Sequence, residues 1–245
     1  MSLVTCAALG RGFVRWRWPA WRPQLRWALS EVSFTVAAGE VIGVYGPNGA
    51  GKSTLLRLLA GSLEPTLGAL TVCGHDARRA GGKVRRRASL AGNTEGGFFL
   101  RLSGRENLRF FAGLYGLHGK AREQAIAAAM GRLGLEAVAN EWVGTYSAGT
   151  RQRLALARAL VPTPELLLLD EPTGALDHSG RERLWQLVGE QRARPKSAVV
   201  LATHDEESLL RCDRALLLAD GRLVGGGSPR DVLSQAASLR RASDA

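Results

Sequence analysis

The feature that most constrains this chain is a glycine-rich stretch at residues 46–54, Gly-Pro-Asn-Gly-Ala-Gly-Lys-Ser-Thr. The stretch fits the phosphate-loop pattern G-x-x-x-x-G-K-[S/T]. Glycines at this spacing let the backbone coil around an anion, so that successive N–H groups point inward. Residues 40–45 are predicted to form a buried strand that enters the loop, and residues 53–60 a helix whose N-terminus faces the anion. The sequence therefore predicts a phosphate-binding loop inside an α/β fold.

The side chains of this loop suit the phosphates of a nucleotide. Lys52 supplies a point charge for the β- and γ-phosphates, and the Ser53 hydroxyl is placed to bind Mg²⁺. A glycine-rich turn that binds nothing is the alternative, but the order of strand, loop and helix argues against it. The nucleotide-binding residues predicted here are Gly46, Asn48, Gly49, Gly51, Lys52, Ser53 and Thr54.

Composition describes an ordinary soluble chain with an excess of positive charge. Of the 245 residues, 45% are hydrophobic and 22% are charged, and the net charge is +11. This charge is compatible with nucleic acid, with an anionic membrane face or with solubility alone. Because no apolar run reaches about 18 residues and no signal peptide is recognisable, we expect a cytosolic protein. The three scattered cysteines lack metal or disulfide spacing, which suits a reducing compartment.

An unusual mixture of arginine and aromatic residues fills residues 1–30, which hold four of the six tryptophans. Three interpretations remain open: a ring of this segment stacks on a nucleotide base, the segment lies against a membrane interface, or it forms a half-buried edge hairpin with arginine stems over tryptophan faces. The residues concerned are Arg11, Phe13, Arg15, Trp16, Arg17, Trp18, Trp21, Arg22, Arg26 and Trp27.

The remaining hydrophobic patterns predict strands that alternate with helices, which implies a largely parallel sheet. Residues 103–145 are helical in character, and Ser103 and Glu106 have capping-box spacing. The basic run at residues 78–87 is interpreted as a solvated surface segment in preference to a nucleic-acid contact. Strands are predicted at residues 31–36, 68–74, 166–170, 198–203 and 215–219, and helices at residues 121–133, 150–160 and 181–192.

Polar residues directly follow two of the predicted buried strands. Asp170 and Glu171 stand at the end of one strand, and His204 stands at the end of the next. Open α/β sheets bind their ligands at the carboxyl ends of the strands. Asp170 is therefore placed to hold Mg²⁺ together with Ser53, and Glu171 to act as a general base on the attacking water. His204 would reach the γ-phosphate from the same edge of the sheet.

Taken in order, these motifs resemble the ATP-binding subunit of an ABC transporter, over nearly the whole chain from about residue 3 to residue 232. Residues 46–54 are similar to the Walker A loop and residues 166–170 to Walker B. The resemblance implies that Glu171 is the catalytic glutamate, His204 the switch histidine and Asp177 a D-loop residue beside the nucleotide. Lys52 is then a catalytic residue as well, because it opposes phosphate charge.

Residues 146–153 resemble the signature sequence of the same family. This resemblance implies that Ser147, Ala148 and Gly149 contact the γ-phosphate bound by the opposite subunit. A serine hydroxyl and backbone amides at a helix N-terminus suit an anion, although three of the usual signature residues are replaced.

Two further family positions are occupied by unusual or alternative residues. At the Q-loop, where the family has a glutamine that touches Mg²⁺, the resemblance places Thr94 as the metal ligand, with Glu95 beside it. The aromatic residue that stacks on adenine is expected upstream of the phosphate loop. Phe13 fits that position best, and Trp16 is the next candidate.

The resemblance implies an α/β fold class, with a P-loop NTPase core that contains a largely parallel sheet, an N-terminal antiparallel β subdomain and a small α-helical insert. Residues 1–245 would form a single domain. Residues 1–94 and 146–245 would make the catalytic core with its β subdomain, and residues 95–145 the helical subdomain.

The resemblance also implies a function, with ATP and Mg²⁺ as cofactors. Two copies would form a head-to-tail homodimer and drive a separate integral membrane permease, and the subunit would be peripheral at the cytoplasmic face of the inner or plasma membrane. The sequence is similar in detail to ABC-2-type exporters of polysaccharide, lipid-linked or drug-like cargo. The alternatives are a non-transport ABC ATPase acting on nucleic acid or the ribosome, and a nucleotide-binding module without turnover. We expect no nucleic-acid partner.

Overall fold

The N-terminal part of the chain forms an antiparallel sheet. The computed structural model describes residues 2–17, 22–92 and 97–243. Strands β1 (Ser2–Arg17) and β2 (Arg22–Ala37) pair as a long hairpin, and β4 (Leu67–Val72) and the short β5 (His75–Asp76) complete the order β2-β1-β4-β5. This sheet matches the predicted N-terminal antiparallel β subdomain.

A second sheet forms the centre of the molecule, in the order β10-β9-β3-β8-β7-β6. Its strands are parallel except for β10, which pairs antiparallel with β9. The predicted α/β fold with a largely parallel sheet is therefore confirmed. The strands are β3 (Val41–Tyr45), β6 (Ala88–Ala91), β7 (Leu166–Asp170), β8 (Ala198–Thr203), β9 (Arg214–Ala219) and β10 (Arg222–Gly227).

Helices cover both faces of the central sheet. The predicted capping box at Ser103 and Glu106 is confirmed, since both reciprocal hydrogen bonds are present at the start of α3. The helices are α1 (Lys52–Leu59), α2 (Gly81–Arg85), α3 (Gly104–Leu114), α4 (Gly119–Arg132), α5 (Ala148–Leu160), α6 (His178–Ala193), α7 (Glu206–Leu210) and α8 (Pro229–Ser243). No helix in the described ranges is long and apolar enough to cross a bilayer.

The continuous apolar run of β7 is explained by burial on both of its faces. Leu166 and Leu168 belong to a core shared with α1 and the antiparallel sheet. Leu167 and Leu169 belong to a second core, shared with α3, α4 and α5. The parallel sheet is thus a middle layer, and only its strand ends remain available for chemistry.

One of the predicted strands is longer than expected. Strand β2 has 16 residues, far more than the predicted residues 31–36, because its first half is held by pairing with β1 and carries no core-facing alternation. The basic run at residues 78–87 lies on the surface as predicted, since all of its Lys and Arg side chains are exposed; Arg78 and Arg85 also donate hydrogen bonds to the backbone oxygens of Pro65 and Gly61 at 3.0 and 2.9 Å. These guanidinium groups tie the segment to the end of α1.

Three segments of the chain meet at the backbone of Ala28 in β2. The N–H of Ser30 donates to the oxygen of Gly221 at 2.8 Å, and the N–H of Gly221 donates to the oxygen of Ala50 at 3.0 Å. A Cβ atom on Gly51 or Gly221 would lie 2.6 or 2.7 Å from the oxygen of Ala28. The antiparallel sheet is therefore joined directly to the glycine-rich loop and to the β9–β10 turn. We call this contact the Ala28 junction.

Candidate functional site

The glycine-rich loop connects β3 to α1 and borders a cavity of about 210 Å³. Gly49 and Gly51 have φ angles of 83° and 104°, a region that side-chain-bearing residues rarely adopt. On the loop side, the cavity is lined largely by backbone and small side chains. On the other side, it is lined by the carboxylates of Asp170 and Glu171. Its lining residues are Ala28, Pro47, Asn48, Gly49, Gly51, Lys52, Ser53, Thr54, Asp170 and Glu171.

Lys52 connects the two sides of this cavity. The side chain is only 6% exposed, and Nζ donates to the backbone oxygens of Gly46 at 2.6 Å and Pro47 at 3.2 Å. Nζ also lies 3.3 Å from Oε1 of Glu171. The contacts with Gly46 and Pro47 are hydrogen bonds, and the contact with Glu171 is an ion pair, since Oε1 of Glu171 accepts no hydrogen bond within the described residues. A phosphate group that enters the loop would therefore compete with these partners for Lys52.

Glu171 and His204 come together because β7 and β8 are neighbouring parallel strands. Nδ1 of His204 lies 2.9 Å from Oε2 of Glu171, and the N–H of His204 donates to the same oxygen at 3.4 Å. Glu171 itself has a φ angle of 49°, and its N–H donates to the oxygen of Ala202 at 2.9 Å. A strained backbone of this kind is often found at functional sites. Lys52, Glu171 and His204 form one connected chain of polar groups.

Asp170 offers a second carboxylate, deeper in the same cavity. Burial raises the pKa of Asp170 above its ordinary value, a hydrogen bond with Ser53 opposes that rise, and the charge of Glu171 adds to it. Oδ1 of Asp170 is buried and has no hydrogen-bond partner in the described part of the chain.

The side chains of Asp170 and Ser53 offer oxygen donors of the kind that Mg²⁺ binds. Carboxylate and hydroxyl oxygens are the hard ligands that Mg²⁺ prefers, and this ion takes few ligands from the protein when phosphates are bound. The unpartnered oxygen of Asp170 fits this role. Thr94, the third predicted ligand, and its neighbour Glu95 lie outside the described residues. Within the described ranges, no group of three or more His, Cys, Asp or Glu side chains could hold a metal ion.

A second cavity, of about 650 Å³, adjoins the first at Ala28 and Gly49. Phe13, the predicted adenine-stacking residue, lines this cavity, so the structure places it beside the phosphate loop. Trp16 is further along β1, is 61% exposed and is not among the lining residues. The full lining is Phe13, Arg26, Trp27, Ala28, Gly49, Asp220 and Gly221.

Arg26 and Trp27 were not predicted as site residues. They enter the cavity because β2 pairs with β1 in a register that sets Phe13 opposite Arg26. Alternation along the two strands was available as a signal, but the register was not, because bulges between Cys6 and Gly12 shift it. Asp220 and Gly221 come from the β9–β10 turn and were not predicted as site residues either.

The predicted signature residues lie elsewhere on the surface. Ser147 caps α5, and its hydroxyl accepts a hydrogen bond from the N–H of Thr150 at 3.1 Å. Ser147 and Ala148 are exposed and Gly149 is half-buried. None of these three is among the described residues that line the two cavities. A single chain therefore does not bring the phosphate loop and the signature residues together.

The segment after Glu171 supports the signature helix from behind. Gln152 in α5 donates to the backbone oxygen of Pro172 at 3.3 Å, and a Cβ atom on Gly149 would lie 2.8 Å from the oxygen of Ala175. Asp177 caps α6 by accepting from the N–H of Gly180 at 2.8 Å. This capping is a structural role for Asp177, and its second carboxylate oxygen accepts a hydrogen bond from the hydroxyl of Ser179 at 3.3 Å.

A larger cavity, of about 1010 Å³, lies between α2, α3 and α5, apart from these groups. Arg79, Lys83, Arg85, Arg86 and Arg158 line it, with no acidic residue among its described lining. The chemistry, and not the volume, identifies the phosphate-loop cavity as the candidate site.

Comparisons with known proteins agree with this arrangement. The family model described as "ABC transporter" matches residues 29–174. The chain is 36% identical over 218 residues to the "Probable multidrug ABC transporter ATP-binding protein YbhF" of Escherichia coli (strain K12), which covers 86% of this chain and 36% of that protein. It is 35% identical over 202 residues to the "ABC transporter ATP-binding protein NatA" of Bacillus subtilis (strain 168), which covers 82% of each. The chain thus spans about a third of the length of one relative and most of the other.

Among solved structures, the fold is similar to a dimeric, post-hydrolysis state of the ATP-binding cassette MJ0796 bound to ADP and Pi. The TM-score is 0.82 at 25% sequence identity, and the match covers 93% of this chain and 99% of that one.

Proposed function

Because this chain belongs to the ABC transporter family, as an ATP-hydrolysing subunit, we propose that two copies assemble head to tail and drive a separate membrane permease. The observation that carries the proposal is the position of Glu171, held between Lys52 and His204 at the edge of the phosphate-loop cavity. A carboxylate there can take a proton from water that attacks a phosphate bound by the loop.

The residues divide the work of hydrolysis. Backbone N–H groups of the loop and the ammonium of Lys52 bind the β- and γ-phosphates. Glu171 accepts the proton as the water oxygen bonds to the γ-phosphorus and the bond to the bridging oxygen breaks. His204, 2.9 Å from Glu171, positions that carboxylate and lies at the same edge as the γ-phosphate. Phe13 stacks on the adenine.

Mg²⁺ would be held by Ser53 and Asp170, with Thr94 as the proposed third ligand, and when bound it would supply positive charge against the phosphate oxygens. Lys52 has to exchange part of its contact with Glu171 for the phosphates. Nucleotide binding therefore releases the base from its cation at the moment when the base is needed.

The proposed dimer rests on the separation of the phosphate loop from the signature residues within one chain. Ser147, Ala148 and Gly149 are presented at the N-terminus of the 13-residue helix α5, where partial positive charge and free N–H groups favour an anion. We propose that these residues, with Asp177, complete the nucleotide site of the second copy. The dimeric state of the MJ0796 cassette supports this assembly.

The helical segment provides the surface for the permease. Large apolar side chains are exposed between Phe99 and Leu114, and an exposed apolar patch of this kind marks a protein-binding surface. We propose that residues 95–145 form a helical subdomain that passes the motion of the dimer to the permease, which would hold the subunit at the cytoplasmic face of the membrane. The patch consists of Phe99, Leu100, Leu102, Phe110 and Leu114.

The proposed transporter is an ABC-2-type exporter of polysaccharide, lipid-linked or drug-like cargo. The similarity to YbhF, whose name describes a multidrug transporter, supports the drug-like class. A second candidate, action on nucleic acid or the ribosome, is favoured only by the net charge of +11. Salt-sensitive binding to RNA or DNA, without association with a permease, would favour that candidate instead.

The variant Glu171→Gln tests the proposed base. We expect turnover to fall by at least about a hundredfold, because general-base catalysis contributes that much or more. ATP binding should persist, and the ATP-bound dimer should accumulate in size-exclusion chromatography. Phosphate release and dimer formation are the two measurements.

Glu165→Gln is the matched control. Glu165 precedes the same strand β7 at its opposite end and pairs with Arg87 on the surface at 2.5 Å, away from the cavity. Its turnover should stay within about twofold of the parent, as is usual for surface substitutions. Hydrolysis by Glu171→Gln at the parent rate would exclude Glu171 as the base.

A further inference from the structure

The outer part of the β1–β2 hairpin extends beyond the rest of the antiparallel sheet. We define it as the distal hairpin, residues 11–17 of β1 and residues 22–27 of β2. Strand β4 pairs with β1 only as far as Gly10, which lies opposite Leu67. Past that point, within the described residues, β1 is paired with β2 alone. A two-stranded ribbon has marginal stability by itself in water, so contact with another surface would stabilise it.

One face of the distal hairpin is apolar. Val14 is paired with Leu25, and Trp16 with Pro23. Side chains directly opposite each other share a face, and so do residues two apart along a strand, so these four lie together. Val14 is 58% exposed, Trp16 61% and Leu25 50%. The result is an apolar strip that nothing in the described chain covers.

Gly12 makes this strip continuous. A Cβ atom at Gly12 would lie 2.7 Å from Cδ1 of Leu25 and 3.5 Å from the ring of Trp27. The absence of a side chain at Gly12 therefore leaves room for Leu25 and Trp27 beside β1.

The other face is used differently. Phe13 and Arg26 are register partners, and both line the cavity beside the phosphate loop. The guanidinium of Arg11 lies 4.7 Å from the ring centroid of Phe13. Trp27 also lines that cavity, but Val14, Pro23 and Leu25 are not among its described lining, so the predicted nucleotide site does not account for the outer part of the apolar face.

The charge of this region is entirely positive. Residues 1–30 contain five arginines and no Asp, Glu or Lys. Arg22, at the outer end of β2, is exposed. An element with one apolar face, aromatic side chains and a cationic remainder has the composition of segments that lie in a membrane interface. Arginine and tryptophan are favoured at the level of the lipid headgroups.

We propose that the apolar face of the distal hairpin inserts into the surface of an anionic lipid bilayer, and that the arginines of the other face strengthen this binding through their attraction to the headgroups. Val14, Pro23 and Leu25 would contact the acyl boundary. Nucleic acid fits this face less well. Apart from Trp16 and Trp27, its side chains are aliphatic and offer no aromatic ring on which a base could stack. A second copy of the hairpin fits less well too, since its arginines would be repelled. The proposal does not depend on the role of Glu171 or on the cargo.

Flotation of the purified chain with lipid vesicles tests this proposal. Vesicles of phosphatidylglycerol and phosphatidylcholine in equal parts should bind the chain, and vesicles of phosphatidylcholine alone should not. Tryptophan emission should shift to the blue on binding, and salt should weaken the interaction. Equal binding to both kinds of vesicle, or to neither, would overturn the proposal.

The apolar contribution is measured with the double variant Val14→Thr and Leu25→Thr. Threonine keeps the preference for a strand, so the hairpin should persist. We expect binding to anionic vesicles to fall by about tenfold or more, because two buried aliphatic side chains are lost. The matched control is Val224→Thr with Leu210→Thr, the same residue types at 46% and 50% exposure elsewhere on the surface. The control should bind like the parent, and an equal loss in both would contradict the proposal.

The cationic contribution is measured with Arg22→Gln, which changes one exposed side chain and therefore remains informative if the double variant fails to fold. We expect binding to fall about fivefold, the effect of one cation near an anionic surface. Arg230→Gln, also at an exposed position, should bind like the parent. Turnover without lipid should be unchanged in both. Binding of a labelled oligonucleotide that depends on Val14 and Leu25, in the absence of vesicle binding, would assign the face to nucleic acid and overturn the proposal.

Discussion

Glu171 is held from three directions, and each contact limits a different freedom. The N–H bond to Ala202 fixes its backbone in the left-handed region, His204 fixes one carboxylate oxygen, and Lys52 approaches the other. A left-handed backbone costs on the order of 1–3 kcal/mol in a residue with a side chain. The surrounding contacts offset this cost, and they direct the carboxylate into the cavity instead of towards solvent.

Gly149 provides a residue-scale prediction, because a side chain there has no room. In Gly149→Ala the new Cβ would lie 2.8 Å from the backbone oxygen of Ala175, so the signature helix and the segment before Asp177 must separate. We expect a loss of about 1–3 kcal/mol in the free energy of unfolding, the usual effect of overpacking. Urea denaturation measures this loss.

Gly113→Ala is the control for that experiment, since it places the same methyl group in helix α3 with nothing within 4 Å. It should raise the free energy of unfolding by roughly 0.5–1 kcal/mol, because alanine favours a helix over glycine. Equal effects of the two substitutions would show that the contact with Ala175 is not tight.

At the scale of single elements, helix α3 depends on its capping box. Oγ of Ser103 accepts from the N–H of Glu106 at 3.2 Å, and the Glu106 carboxylate accepts from the N–H of Ser103 at 2.8 Å and from its hydroxyl at 2.7 Å. Ser103→Ala should cost about 1 kcal/mol of stability, the usual value for a lost N-cap. Two members of the apolar patch proposed for the permease, Phe110 and Leu114, lie on this helix.

The same cap predicts a dependence of stability on pH. The N–H of Ser103, followed by its hydroxyl, holds the pKa of Glu106 below its ordinary value of 4.5. A lowered pKa in the folded state contributes stability above the unfolded value, and the contribution is lost as the pH falls through 4.5 and past the folded-state value.

Glu106→Gln isolates this contribution, since an amide oxygen can accept the same hydrogen bonds without a charge. The parent should be more stable than Glu106→Gln at neutral pH, and the difference should vanish at acidic pH. Urea denaturation at the two pH values measures it, and a difference independent of pH would contradict the assignment.

At the scale of the whole molecule, the sequence predicted what is local and missed what depends on register. The phosphate loop, Asp170, Glu171 and His204 were predictable because each follows a buried apolar strand, and neighbouring parallel strands end at one edge. The capping box was predictable from two residues three apart. These features need only a few consecutive residues to define them.

Other features could not be predicted, because they are formed by residues that are far apart in the sequence and that no local pattern connects. Trp27 and Gly221 enter the candidate site from β2 and the β9–β10 turn, and their approach is set by strand pairing across bulges. The contact between Lys52 and Glu171 joins residues that are far apart in sequence. The length of the distal hairpin was hidden as well, because its outer half alternates between apolar and basic faces without facing a core.

The Ala28 junction connects the distal hairpin to the phosphate loop. Leu25, which we propose faces the lipid, and Ala28, which contacts the phosphate loop, are three residues apart in β2. The contact is close, because a Cβ atom on Gly51 would lie 2.6 Å from the oxygen of Ala28. Docking of the hairpin on a bilayer would then alter the loop, and thermodynamic reciprocity requires nucleotide to alter the docking by the same factor. We expect anionic vesicles to change the dissociation constant for ATP by about fivefold or more, as in typical coupled sites. The change in ATP affinity should be weaker with neutral vesicles and in the Arg22→Gln variant. Identical ATP affinity with and without anionic lipid would show that the hairpin and the phosphate loop are not coupled. Contact with the membrane would in that way control the binding of ATP to the subunit.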